Sequence, residues 1–444
     1  ALEPCYRVAS GPDGPSAGRV RWSLGSQQIL QSFQGDTAAP TLRFTLPPVT
    51  HPQPVRLERT LLRDARSDAA VGWTLWVLPD APALDPGLLV AGDDDRLAGL
   101  FDGARRIGAD DPIDPATPVV VAVALTSPIL DYLQAGGRVL HLTSSRPGSF
   151  KQEGTWFLRG TTWAPPEPKA FFDRCPRDLL GDLQLFELGG ETVIRGKLLW
   201  EQVDPLLAFI ETHDLLTVRP NLLLFDTAVG QGRLIVSALR HEGGPQTHYA
   251  GWWLARLLVD YLQHGPRSQC RLAEDTVRAL RESLAAETIE VGATWCFLLD
   301  PDDVGVARGY HQPDFDDSDW QVLETRSAEE GGIWNRYDGW GWYRRTVSIQ
   351  ESWKGRPIRI VFDSVDDMYR LYVNGRPAGG HGQLDRSETS FLRRTWLDIT
   401  EHVQPGHENT LVVRVHDWVG AGGLNGKVWL TTGPVGPEGD LLQR

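Results

Sequence analysis

Methionine, lysine, paired cysteines and long apolar runs are all scarce in this chain. Its single methionine, Met368, is internal. Ala1 is therefore expected to follow a removed leader or a longer chain. Lysine occurs only at Lys151, Lys169, Lys197, Lys354 and Lys427 among 44 basic residues, so arginine carries nearly all the positive charge. That reads as a coding-composition bias. The cysteines Cys5, Cys175, Cys270 and Cys296 show no C-x-x-C spacing. This argues against a zinc site and leaves the redox compartment open. No apolar run reaches the ~18 residues that a membrane helix needs. Basic excess is missing too. The net charge of −14 argues against a nucleic-acid partner or an anionic membrane surface and suits a neutral ligand such as a glycan.

What is present points to a soluble protein of two or three domains: 444 residues, 41% hydrophobic and 23% charged, with 17 tryptophans. Residues 1–80 carry short alternating segments at Val20–Leu24, Thr41–Leu46, Val55–Leu61 and Gly72–Leu78. Gly11-Pro12-Asp13-Gly14-Pro15 and Pro47-Pro48 punctuate them. They read as an immunoglobulin-like β-sandwich. From about 81 to 266 the character changes. Val119–Leu125 is a continuous apolar run, as in a buried parallel strand. Ser127–Ala135 reads as a helix, Gly136-Gly137 ends it, and Arg138–Thr143 is the next strand. Leu222–Asp226 and Gly232–Ser237 are two more strands, and Tyr249–Leu262 is a helix. Strand, helix, Gly-Gly, strand predicts a flavodoxin-like α/β domain with a mostly parallel sheet. The linker signal Gln263–Pro266 precedes residues 267–286, which read as a connecting helix.

Residues 287–444 contain the densest pattern. Trp334–Val347 packs aromatics and glycines into a loop-to-strand edge, and Val365–Val373 alternates as a half-buried strand before the turn Asn374-Gly375. Sugar faces stack on tryptophan and tyrosine rings, and sugar hydroxyls need carboxylates or amides beside those rings. Tyr337, Asp338, Trp340, Trp342, Asp367, Asn374 and Asp417 are the candidates. Glycines on both sides of Trp340 are expected to let the backbone bend and present that ring. Asp417 ends a strand before the glycine-rich loop Gly420–Gly423, where a sandwich builds its sites. The acidic stretch around Asp314, Asp316 and Asp317 offers oxygen ligands for a structural Ca²⁺. It reads more readily as a turn entering a jelly-roll strand. No other cofactor is expected.

The ordered blocks Tyr337–Arg345, Trp353-Lys354-Gly355, Val365-Asp366-Asp367, Val373-Asn374-Gly375, Leu397–Thr400, Pro405–Leu411, Val413–Asp417 and Gly422-Gly423-Leu424 resemble the sugar-binding jelly roll of family-two glycoside hydrolases, the β-galactosidase and β-glucuronidase group. The resemblance implies a galactose-binding-like jelly roll. It also implies that the front segment is the sandwich that follows the catalytic barrel in those enzymes. The middle region resembles the class-one glutamine-amidotransferase-like domain found as an assembly module in several β-galactosidase families. Such an amidotransferase needs a nucleophile on a sharp strand-to-helix turn. Cys175 lies outside one. Ser144 or Ser145, with His213 or His241 as base, lacks the G-x-S-x-G frame. A catalytically silent module is the expectation. Glu201 and Glu211 could form a hydrolytic carboxylate pair, or they could be solvated groups on a helix from Val203 to Thr212. No barrel of the usual ~250 residues is visible. The reading is thus a non-catalytic, glycan-associated region with a catalytic barrel as partner. The alternatives are a free-standing carbohydrate-binding protein, a glycosidase with an unrecognised carboxylate pair, and a structural protein.

Overall fold

Alternating apolar residues pair the front segment into one antiparallel sheet. The computed structural model describes residues 17–34, 44–46, 48–63, 66–154, 160–163, 167, 169–183, 188, 192–195, 199–211, 218–391, 393–420, 422–436 and 441–442. Its first strands are β1 (Ala17–Leu24), β2 (Gln27–Gln34), β3 (Gln53–Arg63) and β4 (Arg66–Val77), in the order β2-β1-β3-β4. Val20, Trp22, Leu24 and Leu57 form its buried cluster. Arg59 lies over the stacked rings of Trp22 and Trp73. A two-sheet sandwich was expected here. The described residues form a single sheet, and the segment 41–43 lies outside them.

The next sheet has ten strands. Its parallel half is β5 (Leu89–Ala91), β6 (Arg105–Ile107), β7 (Val120–Ala122), β8 (Arg138–Leu142) and β14 (Gly232–Ser237). These run in the order β6-β5-β7-β8-β14. Counted among themselves that is 2-1-3-4-5, the flavodoxin-like doubly wound order. The helices α1 (Asp95–Leu100), α2 (Ser127–Gln134), α3 (Arg177–Leu183) and α4 (Tyr249–His264) belong to this part of the chain.

The expectation of a mostly parallel sheet needs correction. β9 (Gln152–Gly154), β10 (Gly160–Trp163), β11 (Thr192–Arg195), β12 (Asp204–Glu211) and β13 (Arg219–Val229) extend the sheet by antiparallel pairing. The expected helix from Val203 to Thr212 is therefore the strand β12. Its apolar run, Leu206 to Ile210, has the length of either element, and hydrogen bonding to β13 decides between them. A buried ion pair ties β13 and β14 to α4. Arg233 donates to both Asp226 oxygens and to the carbonyls of Tyr261, Leu262 and Gly265, the orphan acceptors at the end of α4.

Two units are separable. One comprises Ala1–Ala124, Asp131–Ser144 and Gln152–Arg271, and the other comprises Leu125–Leu130, Ser145–Lys151 and Leu272–Arg444. The long segment of the second starts with α5 (Glu274–Leu284), close to the expected connecting helix. It continues through β15 (Thr288–Glu290), β16 (Thr294–Asp300), β17 (Gln321–Glu324), α6 (Ala328–Trp334), β18 (Gly339–Ser348), β19 (Arg359–Phe362), β20 (Met368–Val373), β21 (Arg376–His381), β22 (Thr395–Asp398), β23 (Glu408–Asp417) and β24 (Val428–Thr431). Two antiparallel sheets form, β15-β24-β19-β22 and β17-β16-β18-β23-β20-β21. The alternating apolar residues Ile360, Phe362, Tyr369, Leu371, Val373, Leu411, Val413 and Val415 share one core cluster. This is the two-sheet packing of a jelly roll.

Candidate functional site

Strand register brings the chemistry of the second unit to one end of its six-stranded sheet. Gly339 pairs with Asp417, and Met368 pairs with His416. Asp338 precedes β18, Asp366 and Asp367 precede β20, and Asp417 ends β23. Asp338 is exposed, whereas Asp366 is 6% exposed and Asp417 is 0% exposed. One oxygen from each of Asp366, Asp367 and Asp417 lies within 4.8 Å of the others. Burial, reinforced by Asp367 and Asp417, pushes the Asp366 carboxyl up to about 8. Burial also raises Asp417, to about 6, with Asp367 and Asp338 adding to the rise.

The loops around these carboxylates are tied to them. Trp418 N donates to Asp367 Oδ2 (3.0 Å), Val419 N donates to Asp417 Oδ1 (3.1 Å), and Ser390 N and Oγ both donate to the Asp367 carbonyl. Asp366 exchanges backbone bonds with Gly423. Below that bridge lies Glu330 at the start of α6, 1% exposed. Its carboxylate accepts from Tyr343 Oη (2.6 Å), from Leu424 N (3.0 Å) and from Arg326 N, and Tyr343 Oη in turn accepts from Trp334 Nε1. Burial raises the Glu330 carboxyl above its ordinary value. A side chain at Gly423 would stand 2.6 Å from Glu330 Oε1 and 2.8 Å from Trp334 Nε1, so only glycine lets the loop lie on this network.

Of the sugar-binding candidates, the structure brings Asp338, Asp367 and Asp417 to this end. The rings expected to face a ligand are buried or covered. Trp342 is fully buried among Tyr310, Trp320 and Val412, with its Nε1 donating to Asp300. Trp340 is 9% exposed, and the Arg414 guanidinium covers its face at 3.6 Å. Gly341 does not free Trp340 to bend outward. It makes room for Trp334, whose ring would meet a Cβ there at 2.7 Å. Tyr337 is half-buried and donates to the Trp340 carbonyl. Asn374 lies beyond the other end of β20, on the order of 20 Å from Met368 at ~3.3 Å per residue. There it braces the turn, bonding Thr410 N, Asn409 Oδ1 and the His402 carbonyl. The aromatic residues beside the carboxylates are Trp418, half-buried beneath Arg386, and the exposed Phe391. Trp418 directly follows Asp417, and that adjacency was the available signal. Asp366 and Glu330 were not singled out as site residues.

The other candidates disperse. Asp317 pairs with Arg344, and Asp316 accepts from Ser318 N at the turn before β17. Glu201 is exposed before β12, and Glu211 is buried at its far end, bonded by Asn221. β12 alone spans about 23 Å, against the ~5–10 Å between paired glycosidase carboxylates. His213 lies outside the described residues. Cys175 is fully buried, and its thiol is pushed up to about 12, so it is no thiolate at neutral pH. Ser144 Oγ donates to the Val123 carbonyl. His241 bonds Ser237 instead (2.8 Å), and both are buried.

The second unit is a two-sheet jelly roll with carboxylates and an aromatic ring at one end. Residues 280–431 match the family "Glycosyl hydrolases family 2, sugar binding domain". The chain is 31% identical over 117 residues to a β-galactosidase of Priestia megaterium, covering 26% of this chain and 10% of that protein. It is 30% identical over 173 residues to a β-galactosidase of Bacteroides ovatus, covering 34% of this chain and 18% of that protein. The chain thus spans less than a fifth of the length of these two curated relatives. Among solved structures, the β-glucuronidase from Ruminococcus gnavus aligns at 18% identity with a TM-score of 0.29, over 34% of this chain and 30% of that one. No helix among the described residues is long and apolar enough to cross a membrane.

Proposed function

We propose that the jelly roll of residues 287–444 binds a neutral glycan at the loop end carrying Asp338, Asp366, Asp367 and Asp417. In this reading the chain is the non-catalytic region of a family-two β-glycosidase whose catalytic barrel lies outside this sequence. The observation that carries the reading is the gathering of these carboxylates beside Trp418 at one end of the sheet. Carboxylate oxygens accept from sugar hydroxyls, and the indole offers a flat apolar face for the ring. A uronic acid would bring a further negative charge against the cluster, so a neutral hexose is favoured. The α/β part, with its flavodoxin-like strand order, serves as an amidotransferase-like assembly module. Cys175 has no thiolate character there, and Ser144 is bonded to a carbonyl.

Calorimetry of the full chain with methyl β-galactoside and methyl β-glucuronide tests this. Binding of the first should exceed the second and should weaken in Trp418→Ala. A stacked ring and a charge-assisted bond contribute on the order of 1–3 kcal/mol together, so the affinity is weak. Equal binding in Trp418→Ala, or preference for the glucuronide, would refute the reading. The chain alone should not turn over chromogenic β-galactosides, β-glucuronides or β-mannosides.

A further inference from the structure

The buried carboxylates at the sheet end have an uncompensated feature that a sugar does not explain. Asp417 is 0% exposed, and its Oδ2 has no hydrogen-bond donor among the described residues, whereas its Oδ1 accepts from Val419 N. Asp367 uses Oδ2 to accept from Trp418 N and receives a long bond on Oδ1 from Thr389 Oγ1 (3.4 Å). Three arginines of the surrounding strands and loops have contacts of their own. Arg414 pairs with Asp303, Arg394 pairs with Asp363, and Arg386 lies over Trp418. A buried carboxyl oxygen with no donor, beside two further carboxyl groups, is costly unless a proton or a cation reaches it.

We propose that Asp366, Asp367 and Asp417 hold a Ca²⁺ ion, with the fully buried Asp417 carboxylate among its ligands. The donor set is oxygen only, which selects a hard cation over zinc or copper. The three oxygens lie within 4.8 Å of one another, close enough to share one ion. Of the hard cations, Ca²⁺ accepts an irregular carboxylate shell completed by water, whereas Mg²⁺ demands near-ideal octahedral geometry. The sheet ends position the ligands: β23 delivers Asp417, and the bridge between Asp366 and Gly423 holds the facing segment. The acidic stretch at Asp314–Asp317 is a different place and is occupied by its own turn and by Arg344.

The test uses the full chain stripped with a chelator, in the absence of sugar. Its outcome therefore does not depend on glycan binding, and a failure of the glycan reading would leave it standing. Calorimetric titration with CaCl₂ should show one ion bound per chain, saturable below about 1 mM, with Mg²⁺ binding more weakly. The same Ca²⁺ should raise the melting temperature. Asp417→Asn and Asp366→Asn should each abolish both effects, while Asp316→Asn should retain them. Asp366→Asn keeps the shape and relieves the crowding of carboxyl groups, so without Ca²⁺ it should melt at or above the wild type. That result separates a lost ligand from a failed fold. No saturable Ca²⁺ heat in the wild type, unchanged binding in both site variants, or loss of binding in Asp316→Asn would overturn the proposal.

Discussion

Replacing Glu330 probes the support beneath the site. Its carboxylate holds three donors: Tyr343 Oη, Leu424 N and Arg326 N. Glu330→Ala leaves at least two of them buried without an acceptor. Each such group costs about 1–3 kcal/mol, and the lost bonds are charge-assisted. Against this stands relief from burying a carboxylate, the cause that raises its pKa. The net expectation is a loss of about 2–4 kcal/mol for Ala. For Glu330→Gln, which keeps the shape and one acceptor oxygen, it is about 1 kcal/mol. The loop at Gly423 also bonds Asp366, so Ala should loosen the site while Gln preserves it. Hydrogen exchange resolved over β18 and β23 separates this unit from the α/β part, where a single global transition would blur them. Ligand affinity is measured alongside. Ala within about 0.5 kcal/mol of wild type, the size of an ordinary surface change, would refute the reasoning. So would Gln as damaging as Ala.

Other outcomes follow from the packing. Burial lowers His141 to about 3 and His241 to about 4. Above pH 6.5 both states are neutral; as pH falls further the unfolded chain takes up protons that the folded one refuses, so stability declines toward pH 4. At pH 5 the loss is about 2 kcal/mol per histidine, read from urea midpoints against pH, and a flat profile between pH 6.5 and 5 would contradict it. Asp226→Ala strands the Arg233 guanidinium in the core and should cost about 3–5 kcal/mol, visible as lost amide protection in β13 and β14. Trp342→Ala should destabilise the jelly roll by about 3–5 kcal/mol as a large core cavity. Asn374→Ala should lower stability but leave glycan affinity unchanged, because it braces the opposite end of the sheet; a matching loss of affinity would return it to the site.

The sequence by itself determined what local pattern encodes. The alternation of Val365–Val373 and of Leu411–Val415 made two strands of a shared core, and the turn Asn374-Gly375 placed the hairpin between β20 and β21. Ser127–Gln134 was legible as a helix from its own residues, and Gly232–Ser237 was legible as a strand. Quantities set by distant partners were not legible. Whether Leu206–Ile210 is helix or strand depended on β13, because an apolar run of that length carries no period of its own. Whether Trp340 and Trp342 face a ligand depended on Arg414, Asp300 and Tyr310, which the chain brings in from elsewhere. The carboxylate cluster is the sharpest case. Asp366 and Asp417 are far apart in sequence, and only the pairing of β20 with β23 sets them side by side and out of water. Proximity and burial, the two quantities that decide the chemistry of a carboxylate, are properties of the folded packing.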